Sequence, residues 1–230
     1  MKLFTRMFES LPVVVKEAPL DKTATPPPLF PVEEKLLQKA VQKRRVEFSL
    51  GRTLARAALG DLGMPANLAI PVNDDRSPQW PDKVIGAITH CNSWCAAAVA
   101  FKADVEWLGL DVEEYLLRKL DDGMLGYICV DAEREWLAQF SGDAYRRAAM
   151  AIFSAKEAWY KGCYPITQRF LDFKGAQIVF ESFSTTAATW RGILCKDWGP
   201  YHKGQQFPFG RSVFDDRYVG SVFVKANSAL

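Results

Sequence analysis

Polar and apolar residues alternate with period two from Trp107 to Glu113. Leu108, Leu110 and Val112 point one way; Trp107, Gly109, Asp111 and Glu113 point the other. That pattern predicts a strand. Further on, Ala148, Ile152, Ala155 and Trp159 recur at helical spacing and predict a helix over about 143–163, ended by Tyr164-Pro165. Upstream, Leu11–Glu17 is strand-like, and the prolines at 19, 26, 27, 28 and 31 make 18–31 an extended loop, read as packing filler. Pro31 suits a helix start, and Leu36, Leu37, Ala40, Val41 and Phe48 carry an apolar stripe to Leu59, with a bend at Gly51 and closure at Gly60 or Gly63.

Residues 64–85 read as loop with short strands. Gly86–Cys91, a turn at Asn92-Ser93 and Trp94–Phe101 lead into the Trp107 strand as an antiparallel meander. Glu114–Leu120 is expected as a short helix, and Asp131 as the N-cap of another carrying Trp136, Leu137 and Phe140. The last third alternates well enough for strands at 170–173, 176–180, 190–195, 205–209 and 219–224, with a turn at Asp215-Asp216. Helix, antiparallel strands, helices, antiparallel strands is an α+β pattern.

Composition narrows the function without naming it. The chain has 230 residues, enough for one core or two small lobes, and a net charge of +2 gives no bulk electrostatic case for nucleic acid. Its five cysteines are scattered, with no second pair beside Cys91 and Cys95, which argues against zinc and for reduced thiols in the cytoplasm. No signal peptide and no run of about 18 apolar residues is present, so no membrane span is expected. With only His90 and His202 as bases and no nucleophile elbow, a serine or cysteine protease is excluded.

Chemistry gathers on the two patterned stretches. Asp111 and Glu113 share a strand face and repel unless a cation sits between them, and Gly109 leaves room beside them for something bulky. Glu157 and Lys161 stand one turn apart on a helix face, with Lys156 and Tyr160 on the neighbouring row. Each pair alone also reads as ordinary structure, an ion pair or the end of an edge strand. Taken together, three hard oxygen donors and a lysine suit Mg²⁺ and a pyrophosphate. The earlier helix is basic: Arg45, Arg52 and Arg56 share a face, with Lys43 and Arg44 beside it, as either a solvated face or an anion site.

Trp107-x-Gly109-x-Asp111-Val112-Glu113 followed by Phe153-Ser154-x-Lys156-Glu157-Ala158-x-x-Lys161 resembles the 4′-phosphopantetheinyl transferases. More narrowly, it resembles the enterobactin-type branch of the surfactin-type (Sfp-like) group, over about Arg44–Phe173. The resemblance implies two similar α+β lobes related by a pseudo-twofold axis, with the active site between them. The boundary falls near 102–108, giving an N-terminal lobe over 1–105 and a C-terminal lobe over 106–230. It implies transfer of the phosphopantetheine arm of coenzyme A (CoA) onto a serine of an acyl or peptidyl carrier protein, with release of 3′,5′-ADP.

By the same resemblance, Asp111, Glu113 and Glu157 hold Mg²⁺, for which Mn²⁺ substitutes. Glu157 is the base, directly or through a water. Lys161 stabilises phosphate charge, and Lys156 is a second phosphate contact. Arg44-x-x-Glu47-Phe48-x-x-x-Arg52 matches a helix whose arginines contact CoA phosphates, as a guanidinium fork suits. Pro78-Gln79-Trp80-Pro81 matches a family loop that makes Arg76 a contact for the 3′-phosphate. Thr89-His90 matches a pair that touches the diphosphate and 3′-phosphate region. Arg118 and Lys119, near Leu116, Leu117 and Met124, are expected to meet the acidic carrier protein. The implied enzyme is a cytoplasmic monomer. Two rivals are a Mg²⁺-dependent phosphohydrolase acting on CoA-like diphosphates and an anion- or nucleic-acid-binding module using the Lys43–Arg56 face. The second leaves the three carboxylates without a use.

Overall fold

Trp94–Phe101 (β3) is buried at every residue but the last, and four of its eight residues are alanine. A run apolar on both sides belongs in the middle of a sheet, and the small side chains let a helix lie close. In the computed structural model, which describes residues 2–65, 67–115 and 120–227, β3 is the central strand of an antiparallel sheet. It lies between Val14–Pro19 (β1) and Val84–His90 (β2). Two units are formed, Met1–Leu108 with Ala226–Leu230, and Gly109–Lys225.

In the first unit the basic helix divides. Pro31–Glu34 (α1) and a 3₁₀ turn at Lys35–Leu37 come first, and Gln42–Asp61 (α2) begins after an extended Val41. The cause is Glu33. Its fully buried carboxylate accepts from Arg56 Nη1 at 2.8 Å, from the Ile70 N–H at 2.8 Å and from the Phe30 N–H at 3.0 Å. One unbroken helix would hold residues 33 and 56 about 35 Å apart, so the chain must fold back. Helix α2 runs unbroken through Gly51 and stops before Gly63, whose φ of +88° suits a helix end. Val46, Leu54, Ala55, Ala58 and Leu59 of α2 pack on Val84, Ala97 and Val99 of the sheet.

The larger sheet has five strands in the order β4-β8-β7-β6-β5. They are Val105–Glu114 (β4), Ala176–Phe183 (β5), Ala187–Leu194 (β6), Gln206–Phe214 (β7) and Tyr218–Ala226 (β8). Among the described residues three helices accompany it: Asp122–Ile128 (α3), Asp131–Leu137 (α4) and Gly142–Thr167 (α5). Residues 148–156 of α5 are buried on all sides, and such a helix belongs inside a core.

Several boundaries differ from expectation. Helix α5 passes Pro165, because a proline this late removes one hydrogen bond only; it ends at left-handed Gln168, whose N–H reaches Tyr164 O at 2.8 Å. Residues 170–173 form no strand; a 3₁₀ turn at Phe173–Gly175 stands there. Helix α4 starts at Asp131, one residue earlier than an Asp131 cap requires, with Glu133 turned back to the Val130 N–H. Strand β4 takes in Glu114, which is buried against Arg217 of the turn before β8, so the helix expected from residue 114 does not start there. Residues 116–119, including the expected docking pair Arg118 and Lys119, lie outside the described residues. Each unit lays one long helix on antiparallel strands, a mixed α and β architecture. Among the described residues no helix is long and apolar enough to cross a membrane.

Candidate active site

Strand β4 lies on the bare backbone of α5. A Cβ on Gly109 would fall 1.9 Å from Ala158 O and 2.6 Å from Gly162 N, and one on Gly162 would fall 2.8 Å from the Phe223 ring. Two glycines therefore make the crossing sterically feasible. The room expected beside Gly109 is filled by the helix itself. This contact sets the register of the charged side chains next to it. Two residues beyond Gly109 and one before Gly162, Lys161 Nζ donates to Asp111 Oδ1 at 2.6 Å. The carboxylate is 4% exposed and the lysine side chain 27%.

Three acids act on that ammonium. Burial opposes its charge, but Asp111, then Glu157, then Glu113 outweigh burial and hold its pKa above the ordinary lysine value. Glu113 and Glu157 are half-buried. Of the sequence-predicted set, Asp111 and Lys161 are joined directly, while Glu157 and Glu113 act on the ammonium through space. Among the described residues, no three acidic, thiol or imidazole groups are gathered in a metal-holding arrangement. By donor chemistry the set still fits a hard divalent cation, since all three candidate ligands are carboxylates.

Lys156 is not part of this cluster. Its ammonium is 2% exposed and donates to Glu133 Oε2 at 2.7 Å, Ile128 O at 2.7 Å and Phe173 O at 2.8 Å. An ammonium has three protons, so none remains for a phosphate, and the phosphate contact expected of Lys156 is corrected to a structural anchor. Glu133 completes the anchor by accepting from the Ile178 N–H at 2.7 Å and the Val130 N–H at 2.8 Å. Burial pushes the Glu133 carboxyl up, while Lys156 and those N–H groups pull it back.

Glu157 also borders a pocket that sequence reading missed. Tyr160, Phe170, Leu171 and Trp198 line it. The Tyr160 and Trp198 rings stack at 5.9 Å and 15°, and Phe170 is 80% exposed. The helical spacing of Glu157 and Tyr160 was a usable signal for one wall; Trp198 comes from a distant loop and carried none.

In the first unit, Arg44 is exposed, and its Nη1 lies 3.4 Å from Nε2 of half-buried His90. The preceding Thr89 is buried. Arg76 is exposed in a turn, with φ +69°. Arg52 differs from expectation. It is 5% exposed, donates from Nε to Ile70 O at 2.7 Å and lies over the Phe48 ring at 4.3 Å. Burial draws its pKa down to about 10. These are the surroundings of a packing residue rather than an open phosphate contact.

Residues 32–100 match the family model for the 4′-phosphopantetheinyl transferase N-terminal domain, and residues 108–211 that for the 4′-phosphopantetheinyl transferase superfamily. The chain is 38% identical to 4′-phosphopantetheinyl transferase Npt of Nocardia iowensis, over 80% of this chain and 81% of that one. It is 36% identical to 4′-phosphopantetheinyl transferase PptT of Mycobacterium tuberculosis, over 80% and 82%. Identity to enterobactin synthase component D of Escherichia coli O157:H7 is 34%, over 60% and 64%. A β4–α5 crossing that carries the acidic cluster, inside a chain matched on both sides of residue 105, makes this protein a member of the 4′-phosphopantetheinyl transferase family.

Proposed function

We propose that Asp111, Glu113, Glu157 and Lys161 form the centre at which the phosphopantetheine arm leaves CoA for a carrier-protein serine. The observation that supports this is the Lys161–Asp111 contact at 2.6 Å, with Glu157 and Glu113 acting on the same ammonium through space. Serine Oγ forms a bond to the phosphorus that bears pantetheine, the bridging P–O bond breaks, and 3′,5′-ADP departs. Glu157, half-buried like Glu113, takes the serine proton, directly or through a water. Lys161 faces the phosphate charge that develops as the bond breaks. Asp111, Glu113 and Glu157 would hold Mg²⁺, or Mn²⁺ in its place, which when bound neutralises diphosphate charge. The Tyr160–Trp198 pocket beside Glu157 is apolar enough for the pantetheine chain.

Within the same proposal the first unit serves CoA binding, through Arg44, Thr89, His90 and Arg76, and the second carries the chemistry. That the two units share one pseudo-symmetric plan belongs to it as well. So does action as a cytoplasmic monomer, with CoA and a carrier protein as its partners.

Intact-mass spectrometry of an apo carrier protein incubated with CoA and Mg²⁺ tests the reading. The expected result is a gain of one phosphopantetheine group, lost with EDTA and restored by Mg²⁺ or Mn²⁺. Cleavage of CoA with no modified acceptor would make the protein a phosphohydrolase instead.

A further inference from the structure

Trp159 stands on α5 at a position that the family pattern leaves open. It is 1% exposed, and its six-membered ring lies against β6: a Cβ on Gly192 would fall 2.4 Å from Cζ3 and 2.5 Å from Cε3. The Phe207 ring packs beside it at 5.1 Å between centroids. The contact with Gly192 accounts for one end of the indole. The N–H is carried by the other end.

That N–H has no assigned use. Among the described residues, Trp159 Nε1 is buried without a hydrogen-bond partner. Other buried indoles of the same unit spend theirs: Trp190 Nε1 donates to Ser212 Oγ at 3.0 Å, and Trp198 Nε1 to Arg169 O at 2.7 Å. A buried indole N–H left unbonded loses its water and gains nothing in return. Packing alone gives no reason to keep it.

Trp159 also lines the pocket formed with Glu157, Tyr160, Phe170, Leu171 and Trp198. Two charged groups of that lining are already committed. Lys156 is held by Glu133 and two carbonyls, and Asp172 by Lys196 and the Gly175 N–H. An aromatic-walled pocket with an unspent donor suits a neutral chain that carries a carbonyl. The pantetheine arm is such a chain, methylene groups broken by two amides. We infer that the Trp159 N–H donates to an amide carbonyl of that arm and so holds it beside Glu157. The inference rests on the coenzyme reading above, and every residue in it belongs to the second unit.

Titration of the isotope-labelled full chain with CoA and with 3′,5′-ADP, which lacks the arm, tests it by NMR on the Trp159 indole N–H resonance. CoA should move that resonance downfield, as a new hydrogen bond does, and 3′,5′-ADP should leave it in place. Trp159→Phe removes the donor. It should weaken CoA about three- to tenfold by calorimetry, the scale of one neutral hydrogen bond, and leave the affinity for 3′,5′-ADP unchanged. A resonance unmoved in the CoA complex, or moved equally by 3′,5′-ADP, overturns the role of Trp159 while the coenzyme reading stands. So does unchanged CoA affinity in the variant. A wild-type chain that does not bind CoA overturns that reading and this inference together.

Discussion

Lys161 Nζ and Asp111 Oδ1 are 2.6 Å apart because Gly109 and Gly162 let strand and helix touch backbone to backbone. The pair is therefore fixed by main-chain contact, not by two long side chains finding each other. Positioned charge of this kind is where catalysis gains most. Asp111→Asn keeps the shape of the side chain and removes its charge. Carrier-protein modification should fall by at least about 100-fold. Lys161→Ala should slow transfer by a similar factor while changing CoA affinity much less. Near-wild-type turnover of either variant in single-turnover mass spectrometry would remove that residue from the centre.

The same crossing predicts an intolerant glycine. In Gly109→Ala the new methyl group meets the Ala158 carbonyl at 1.9 Å, and neither backbone can retreat without dislodging β4 or α5. A cost of at least about 3 kcal/mol is expected, with Asp111 pulled out of reach of Lys161. Thermal unfolding followed by circular dichroism checks it. A soluble variant with unchanged Tm and activity would mean that the two elements are less tightly joined.

Arg52 separates a packing role from a binding one. Truncation to alanine strands the Ile70 carbonyl and uncovers Phe48, at a cost of about 2 kcal/mol. At this chain length that lowers Tm by about 4–8 °C. CoA affinity, measured by calorimetry below the transition, should move little. Unchanged Tm with lost CoA affinity would return Arg52 to the phosphates.

How much of the molecule was legible in the sequence depends on the range of the interaction. The Trp107–Glu113 alternation and the Glu157–Lys161 spacing were readable because strand and helix periods are local. The break between α1 and α2 was not, since it is forced by Glu33 meeting Arg56 and Ile70, partners far along the chain. Gly109 was visible as a missing side chain, but what took its place, the backbone of α5, was not. Adjacent letters also misled: Lys156 and Glu157 sit side by side in the motif, yet successive helical positions lie about 100° apart, and the two side chains reach different surroundings.

Lys156 supplies the sharpest separation between motif and mechanism. Its ammonium and the Glu133 carboxylate are 2% and 1% exposed, and together they satisfy the carbonyls of Ile128 and Phe173 and the N–H groups of Val130 and Ile178. Breaking such a pair from one side leaves a buried charge without its partner, at about 3–5 kcal/mol. Lys156→Met should therefore lower Tm more than Lys161→Ala, although the proposed centre is built on Lys161. Replacing both partners with apolar residues, as in Lys156→Met with Glu133→Leu, often recovers stability for a buried ion pair. Here it should not, because four backbone groups, two buried and two part-buried, would then lose their bonds. The measurement is Tm for the two single variants and the double. Recovery in the double variant, or a folded Lys156→Met protein whose only defect is weaker CoA binding, would return Lys156 to the phosphate side of the reaction.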